Sequence, residues 1–452
     1  MSKKEVLPVK GFSKLSKAAK LEWIIENHFD GDTEALELLK TYSHTNVEVQ
    51  KLHDEFIENT LSNFYMPFGV APNFKIDGKM YTIPMTIEES SVVAAAAKAA
   101  SFWLDRGGFH SQVVSTTKVG HVHFVWRGKN VDILENIVAK AQEDFLENSA
   151  SITQNMTARG GGILGIRLIN RSDLEPNYYQ LEAKFETCDS MGANFINSCL
   201  ESFAGTLKTA IESEPHLKEE ENYVQILMSI LSNFTPECVV KAWVECPVSE
   251  INEGSMPNEE FADKFVKALK VAEIEPYRAV THNKGIMNGV DSVVIATGND
   301  FRAIEACAHA YASRHGQYTS LTHAEVKDGQ FKFWIEMPLA LGTVGGITSL
   351  HPMVKFAHEM LGSPKASDLM RIVATAGLAQ NFSALRSLIT SGIQKGHMKM
   401  HLLNILNQLE ATPDEKEKLV EHFKNNVVSF SAAVKAFCDL RGIEQPRQQS
   451  KN

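Results

Sequence analysis

The chain has 452 residues, 44% of them hydrophobic, which at roughly 150 residues per domain gives room for about three domains and excludes disorder as its main state. Its 55 acidic and 45 basic residues leave a net charge of −10, so no global positive field draws it to nucleic acid or anionic lipid. Six cysteines show neither the C-x-x-C spacing of a structural zinc site nor the density of a secreted disulfide scaffold, and a reducing, cytoplasmic compartment is expected.

In chain order, the lysines at 3, 4, 10, 14, 17 and 20 lack an apolar h-region and are interrupted by Glu5, so they read as mature protein rather than a targeting peptide. The most apolar helix candidate, Val92 to Ala97, meets Lys98 long before the ~18 apolar residues that a bilayer span needs. No membrane crossing is expected. Glu88 and Glu89 open that helix, where carboxylates suit the macrodipole; a catalytic acid there would need burial to raise its pKa.

Residues 112–230 can be parsed almost completely from periodicity. A strand over Val119–Trp126 leads to a helix with Ile133, Leu134, Ile137, Val138, Ala141 and Phe145 on one face. After Gly160-Gly161-Gly162 comes a short run, Ile163–Ile169, and then an alternating strand, Tyr178–Thr187, with Tyr179, Leu181, Ala183 and Phe185 inward. A second amphipathic helix, through Ile196, Leu200, Phe203 and Leu207, precedes a last strand, Tyr223–Ile230. The order βαββαβ predicts a ferredoxin-like domain. The flanking segments, 1–111 and 231–393, are expected to close into one larger, discontinuous α/β body, and 394–452 into a helical appendage. In that appendage Thr412-Pro413-Asp414-Glu415 has the spacing of an N-cap, a proline at N1 and a capping box.

Several segments could carry chemistry. Cys188–Asn194 joins the best strand to the best helix, with Gly192 where a ligand could approach, and the free N–H groups of a helix start suit a pyrophosphate. It lacks the GxGxxG fingerprint, and a strand-to-helix turn with Gly and Asn is usually just a turn. The polar, glycine-containing run Thr281–Gly289 precedes an apolar run, Val290–Ala296, read as a strand, and the turn Thr297–Asp300 follows. Lys284 and Asp300 would then stand at opposite ends of that strand; if they met, the charged lysine could stabilise an oxyanion. Gly342–Gly346 is another turn, either structural or facing a ligand. His397 and His401 are at i and i+4 but lack the glutamate of H-E-x-x-H, and no metal is expected. His121 and His123 are read as pointing to opposite faces of their strand, where they could not share an ion.

Taken together these segments resemble class II 3-hydroxy-3-methylglutaryl-CoA reductases. The matching blocks are Glu58-Asn59 with Met66–Phe74, Glu88–Ala94, Asp189–Asn194, Tyr277-Arg278 with His282–Gly289, Thr297–Asp300, Gly342–Gly346, Gly377–Asn381 and Gly392–Met398. The resemblance implies an α+β fold: a large acyl-CoA domain (1–111 and 231–393), an inserted ferredoxin-like nicotinamide domain (112–230) and a C-terminal flap (394–452). It also implies a homodimer, or a higher homo-oligomer built from dimers, with sites at the interface. The implied reaction is two-step hydride reduction of hydroxymethylglutaryl-CoA to mevalonate with release of CoA. By family position Lys284 holds the oxyanion, Asp300 ties lysine and glutamate into one network, His397 protonates the departing CoA thiolate and Glu89 protonates the alcohol oxygen. Ser91, Arg278, Asn288 and Asn381 would lie near the hydroxymethylglutaryl group, and Asp189, Met191, Gly192 and Asn194 on the dinucleotide turn.

Two departures are visible. Ser90 stands where proline is frequent in the family, and Thr153 stands where NAD-preferring relatives carry an acidic residue that reads the ribose 2′-OH. The second tilts the expectation from NADH to NADPH. The rival readings are NAD-linked breakdown of mevalonate, a non-catalytic CoA-binding scaffold and a metal-dependent hydrolase using His397 and His401.

Overall fold

The computed structural model describes residues 8–252, 254–390, 402–423, 426 and 428–444. The chain up to Pro67 is one compact unit of short helices α1 (Lys17–His28), α2 (Thr33–Thr41) and α3 (Val47–Asp54). Each begins at a side-chain oxygen that accepts an otherwise orphaned N–H, from Ser16, Asp32 and Asn46 respectively. Lys17 reaches Asp54 at 2.7 Å and ties α1 to α3.

The second unit starts at Phe68 with a hairpin, β1 (Phe68–Ile76) and β2 (Lys79–Thr86). Its two-residue turn, Asp77-Gly78, has φ of 48° and 85°, the left-handed pair that matches strand twist in a tight hairpin. Helix α4 (Val92–Leu104) buries Ala96, Ala99, Phe102 and Trp103. It begins after Ser91, so Glu88 and Glu89 lie in the turn before the helix rather than in its first turn.

After β3 (His110–Val113) come β4 (Lys118–Trp126), helices α5 (Val131–Lys140), α6 (Gln142–Asn148) and α7 (Ala150–Thr157), strands β5 (Gly162–Asn170) and β6 (Tyr178–Glu186), α8 (Ala193–Glu212) and β7 (Val224–Leu231). The sheet order is β5-β6-β4-β7 and every pairing is antiparallel, which is the ferredoxin-like arrangement. Phe124, Trp126, Leu181 and Phe185 are fully buried in one core with Leu200, Phe203 and Leu207 of α8. The expected single helix through Phe145 is in two pieces, α5 and α6, and a third helix, α7, follows a break at Ser149. Ser149, itself buried, donates its hydroxyl to the Phe145 carbonyl at 2.7 Å, one of the local bonds by which serine competes with a continuing helix. His121 and His123 share a face, with ring centroids 5.6 Å apart. Residues i and i+2 of a strand always do, so the expectation of opposite faces was mistaken.

A third sheet, ordered β3-β8-β10-β9, combines β3 with β8 (Val239–Pro247), β9 (Thr322–Lys327) and β10 (Gln330–Pro338). Around it run α9 (Asn258–Ile274), α10 (Pro276–Ala296), α11 (Phe301–Ala312), α12 (Pro352–Met360) and α13 (Ala366–Ile389). The architecture is α+β. Here the expected strand Val290–Ala296 is the second half of α10, a continuous helix of 21 residues. Glu275 accepts the N–H groups of Tyr277 and Arg278, and Pro276 takes the first helical position, where its missing N–H costs nothing. Of the two glycines that suggested a loop, Gly289 is a contact point between helices and Gly285 is open: a Cβ on Gly289 would lie 2.6 Å from the Ala376 carbonyl oxygen of α13, and one on Gly377 2.8 Å from the Val290 side chain, whereas one on Gly285 would meet nothing within 4 Å. Short apolar runs do not distinguish strand from buried helix.

Beyond the residues left undescribed at 391–401, a small helical group comprises α14 (402–408), α15 (Pro413–His422) and α16 (Phe430–Arg441). It packs Leu402, Leu406, Leu419 and Phe437 into a core of its own. The capping box at Thr412 and Glu415 forms as its spacing predicts. All six cysteines are unpaired, and no described helix is long and apolar enough to cross a membrane.

Candidate active site

Two cavities carry the residues singled out from sequence. The first, about 530 Å³, lies among the turn before α4 and helices α4, α10 and α13. Lys284 and Asn288, one turn apart on α10, both donate to the same oxygen of Glu89, Lys284 Nζ at 2.5 Å and Asn288 Nδ2 at 3.2 Å. These bonds orient the carboxylate, with the Lys284 side chain 61% and the Glu89 side chain 37% exposed. Ser91 has φ of 75° and makes no capping bond to α4, so a non-glycine residue in the left-handed region lines the cavity, with its hydroxyl uncommitted among the described residues. Gln380, Ser383, Ala384 and Ser387 line the opposite wall from α13. Gln380 is only 7% exposed, yet its Oε1 is buried without a partner among the described residues.

The second cavity, about 430 Å³, lies between the start of α8, the turn before α11 and the Gly342–Thr348 loop. Gly192 has φ of 91°, and a Cβ there would lie 2.5 Å from the Thr187 methyl, so only glycine fits. No side chain caps α8, which leaves its first N–H groups for an anion. The Gly342 N–H donates to Asn299 Oδ1 at 2.8 Å, and the Thr343 N–H donates to the Asp189 carbonyl at 2.8 Å. These bonds hold the three walls together.

The family model for hydroxymethylglutaryl-coenzyme A reductase matches residues 18–402, most of the chain. It belongs to that family. The chain is 35% identical to the 3-hydroxy-3-methylglutaryl-coenzyme A reductase of Archaeoglobus fulgidus over 414 residues, 91% of this chain and 90% of that one. It is 33% identical to the probable reductase of Borreliella burgdorferi over 390 residues, 85% and 86% of the two chains. Among solved structures, the Streptococcus pneumoniae reductase is similar with a TM-score of 0.70 and 32% identity, covering 96% of this chain and all of that one. A class II structure of that organism's enzyme bound to NADPH gives the same TM-score and identity over 90% of this chain and 99% of that one.

Within this reductase chain the residues named from sequence separate into groups. Glu89, Ser91, Lys284 and Asn288 meet at the first cavity. Met191, Gly192 and Asn194 line the second, and Asp300 stands with them. Asp300 caps α11, accepting from the Arg302 and Ala303 N–H groups at 3.1 Å each. No hydrogen bond or ion pair joins it to Lys284 within the chain, so the expected lysine–aspartate pairing is absent here; Lys284 is paired with Glu89.

Asn381 does not line the first cavity. It is 1% exposed in a closed ring: His282 Nε2 lies 2.6 Å from Thr322 Oγ1, Thr322 donates to Asn381 Oδ1 at 2.9 Å, and Asn381 Nδ2 lies 3.5 Å from His282 Nδ1. Each donor finds an acceptor if His282 is neutral with its proton on Nε2. Burial, reinforced by the nearby Arg278 and His323 charges, pushes the His282 pKa down to about 3. Arg278 is half-buried beside it, its own pKa lowered by burial.

Asp189 is likewise turned away from the second cavity, its carboxylate accepting the first N–H of α13, from Ala366, at 2.8 Å. Thr153 lies on α7, donating to the Ala150 carbonyl at 3.3 Å; Met156 and Arg159, further along, reach the cleft. His397 and His401 fall outside the described residues. Sequence reasoning missed Gln380, although 380, 383, 384 and 387 repeat at helical spacing with small or polar side chains, the signature of a helix face that lines a cavity.

Proposed function

We propose that the two cavities are the acyl-CoA and nicotinamide halves of one reductase site, which converts hydroxymethylglutaryl-CoA to mevalonate and free CoA. The observation that carries this reading is the Glu89 carboxylate held by Lys284 and Asn288 in a cavity large enough for an acyl chain. Reduced nicotinamide, when bound, supplies one hydride in each of two rounds. The free N–H groups at the glycine-led start of α8 fit its pyrophosphate.

Lys284 places a fixed ammonium where the thioester oxygen becomes negative, stabilising charge that develops only as the reaction proceeds. Collapse of the hemithioacetal then breaks the carbon–sulfur bond. His397, by family position, gives the thiolate its proton and prevents it from adding back. In the second round Glu89 delivers a proton to the aldehyde oxygen, and Lys284, bonded to the same carboxylate, orients it. Ser91, Asn288 and the half-buried Arg278 bind the hydroxymethylglutaryl group, Arg278 through the substrate carboxylate.

The site works as a homodimer. Asp300 is separated from Lys284 within one chain, and apolar side chains near the second cavity, Val344, Ile347, Leu350, Met353 and Phe356, are 39–54% exposed, a surface suited to a second copy. NADPH is preferred over NADH. Asp300 is the one carboxylate among the described residues lining the cofactor cleft, and Arg159 lines it too, a setting suited to a 2′-phosphate. The reaction therefore runs toward mevalonate, and the unpaired cysteines suit a cytoplasmic setting.

The decisive experiment follows reduced-nicotinamide absorbance with hydroxymethylglutaryl-CoA, using NADPH and NADH in parallel, on the wild type and Lys284→Ala. Two cofactors consumed per CoA released, faster with NADPH and abolished in the variant, is the expected result. No turnover from folded protein would leave a binding scaffold instead.

A further inference from the structure

On β4 the residues at even positions point inward: Lys118, Gly120, Val122, Phe124 and Trp126 are all buried. Lys118 is the exception in chemistry, a lysine only 4% exposed. Its ammonium donates to Thr187 Oγ1 at 2.7 Å, and Thr187 in turn donates to the Ser190 carbonyl at 2.7 Å. No carboxylate pairs with it among the described residues; the neighbouring Glu186 is engaged by Thr116 and by the Cys188 N–H. A buried charge without a counter-charge is costly and is kept where it serves something.

What lies above it is the cofactor turn. Thr187 is the residue whose methyl packs under Gly192, and Met191 lines both the small void that Lys118 borders and the cleft itself. One layer of residues therefore separates the ammonium from the cleft. We propose that Lys118 is a positioning residue for the nicotinamide cofactor: through Thr187 it holds the turn Thr187–Gly192 in shape, and it sets a positive charge behind the bound pyrophosphate. This rests on the assignment of that cleft to the cofactor. The charge adds to the helix-start N–H groups, and low polarity around it lets its field reach the ligand.

The test compares Lys118→Met, which keeps the stem and removes the charge, with Asn194→Ala at the cleft. In Lys118→Met the KM for NADPH and for NADH should rise about tenfold each, with kcat and the acyl-CoA KM within about twofold of wild type. ADP should weaken as a competitive inhibitor by a similar factor while adenosine, which carries no phosphate, does not. If Lys118→Met does not fold, Thr187→Val should raise the cofactor KM and Thr187→Ser restore it. An unchanged cofactor KM in Lys118→Met or in Thr187→Val, with Asn194→Ala raising it, overturns the proposal and leaves the cleft assignment standing. Equal damage to acyl-CoA and cofactor KM overturns it in favour of a purely structural lysine. If neither Lys118→Met nor Asn194→Ala moves the cofactor KM, the cleft assignment itself fails and the proposal with it.

Discussion

The two cavities are built from different materials. The cavity proposed for the acyl group is walled by long helices, with polar side chains set at helical spacing: Lys284 and Asn288 on α10, and Gln380, Ser383 and Ser387 on α13. The cavity proposed for the cofactor is made of turns at Thr187–Gly192, Thr297–Asp300 and Gly342–Thr348, held by backbone hydrogen bonds and by glycines where a Cβ would collide. Under the proposed assignment the difference follows the chemistry. Charge that appears only during reaction needs donors on rigid elements that do not rearrange, whereas a pyrophosphate that keeps its charge throughout can be held by N–H groups at a helix start.

If that division is right, Lys284→Ala should be the most damaging single change, lowering kcat by about 10²–10³ or more while the cofactor KM stays near wild type. Steady-state kinetics with each substrate varied in turn checks it; equal loss in both KM values would show that Lys284 supports the whole site instead. Glu89→Gln is isosteric and can still accept from Lys284 and Asn288, so it removes the proton and little else. We expect kcat to fall by about 10². Because the two groups are bonded, the double variant should cost much less than the product of the single losses.

A third effect concerns pH. His282, buried in the ring with Thr322 and Asn381 and lining neither cavity, is held neutral with its pKa pushed down to about 3. In the unfolded chain His282 takes a proton near pH 6.5 and in the folded chain it does not. Folding stability is therefore fully present above about pH 6.5 and is lost as pH falls, by about 1.4 kcal/mol per unit down to the folded pKa. Between pH 6.5 and 5 the wild type should lose on the order of 2 kcal/mol more than His282→Gln in urea unfolding. Parallel curves would mean that the ring is not neutral in the folded state.

Much of this molecule was legible from sequence, and unevenly so. The βαββαβ segment read well because its central strands, β4 and β6, each have one buried face, so the alternation Tyr179, Leu181, Ala183, Phe185 is the burial pattern itself. Helix α10 did not, because Gly289 serves contact with α13, Gly285 opens onto a cavity, and its polar residues face that cavity or a buried ring; all of these look like loop when viewed along the chain. Lys118 stands one residue outside the strand that periodicity delimits at Val119, although its parity with Val122 and Phe124 marks it as inward. Asp189 and Asn381 show a further limit. A motif names neighbours in sequence, but the carboxylate of one caps α13 and the amide of the other closes a ring with His282 and Thr322, contacts made across 177 and 59 residues.

On the cofactor side, Gly342→Ala should raise the cofactor KM about tenfold and leave kcat nearly unchanged, since its Cβ would lie 2.6 Å from the Met191 nitrogen and push the turn out of place. The smallest effect is on the acyl side, where two glycines of α10 should respond in opposite directions. Gly289→Ala should destabilise, its Cβ facing the Ala376 carbonyl oxygen at 2.6 Å, and the helices must part to admit it. Gly285 has nothing within 4 Å of the corresponding position, and it lines the acyl cavity. Gly285→Ala therefore gains helix propensity, about 0.5–1 kcal/mol, at the expense of room for the acyl group. The expected outcome is a raised Tm together with a higher KM for the acyl-CoA and an unchanged KM for the cofactor. A raised Tm with both KM values unchanged would mean that the substrate does not approach this face of α10, and the acyl group would then have to be placed along α13 beside Gln380 instead.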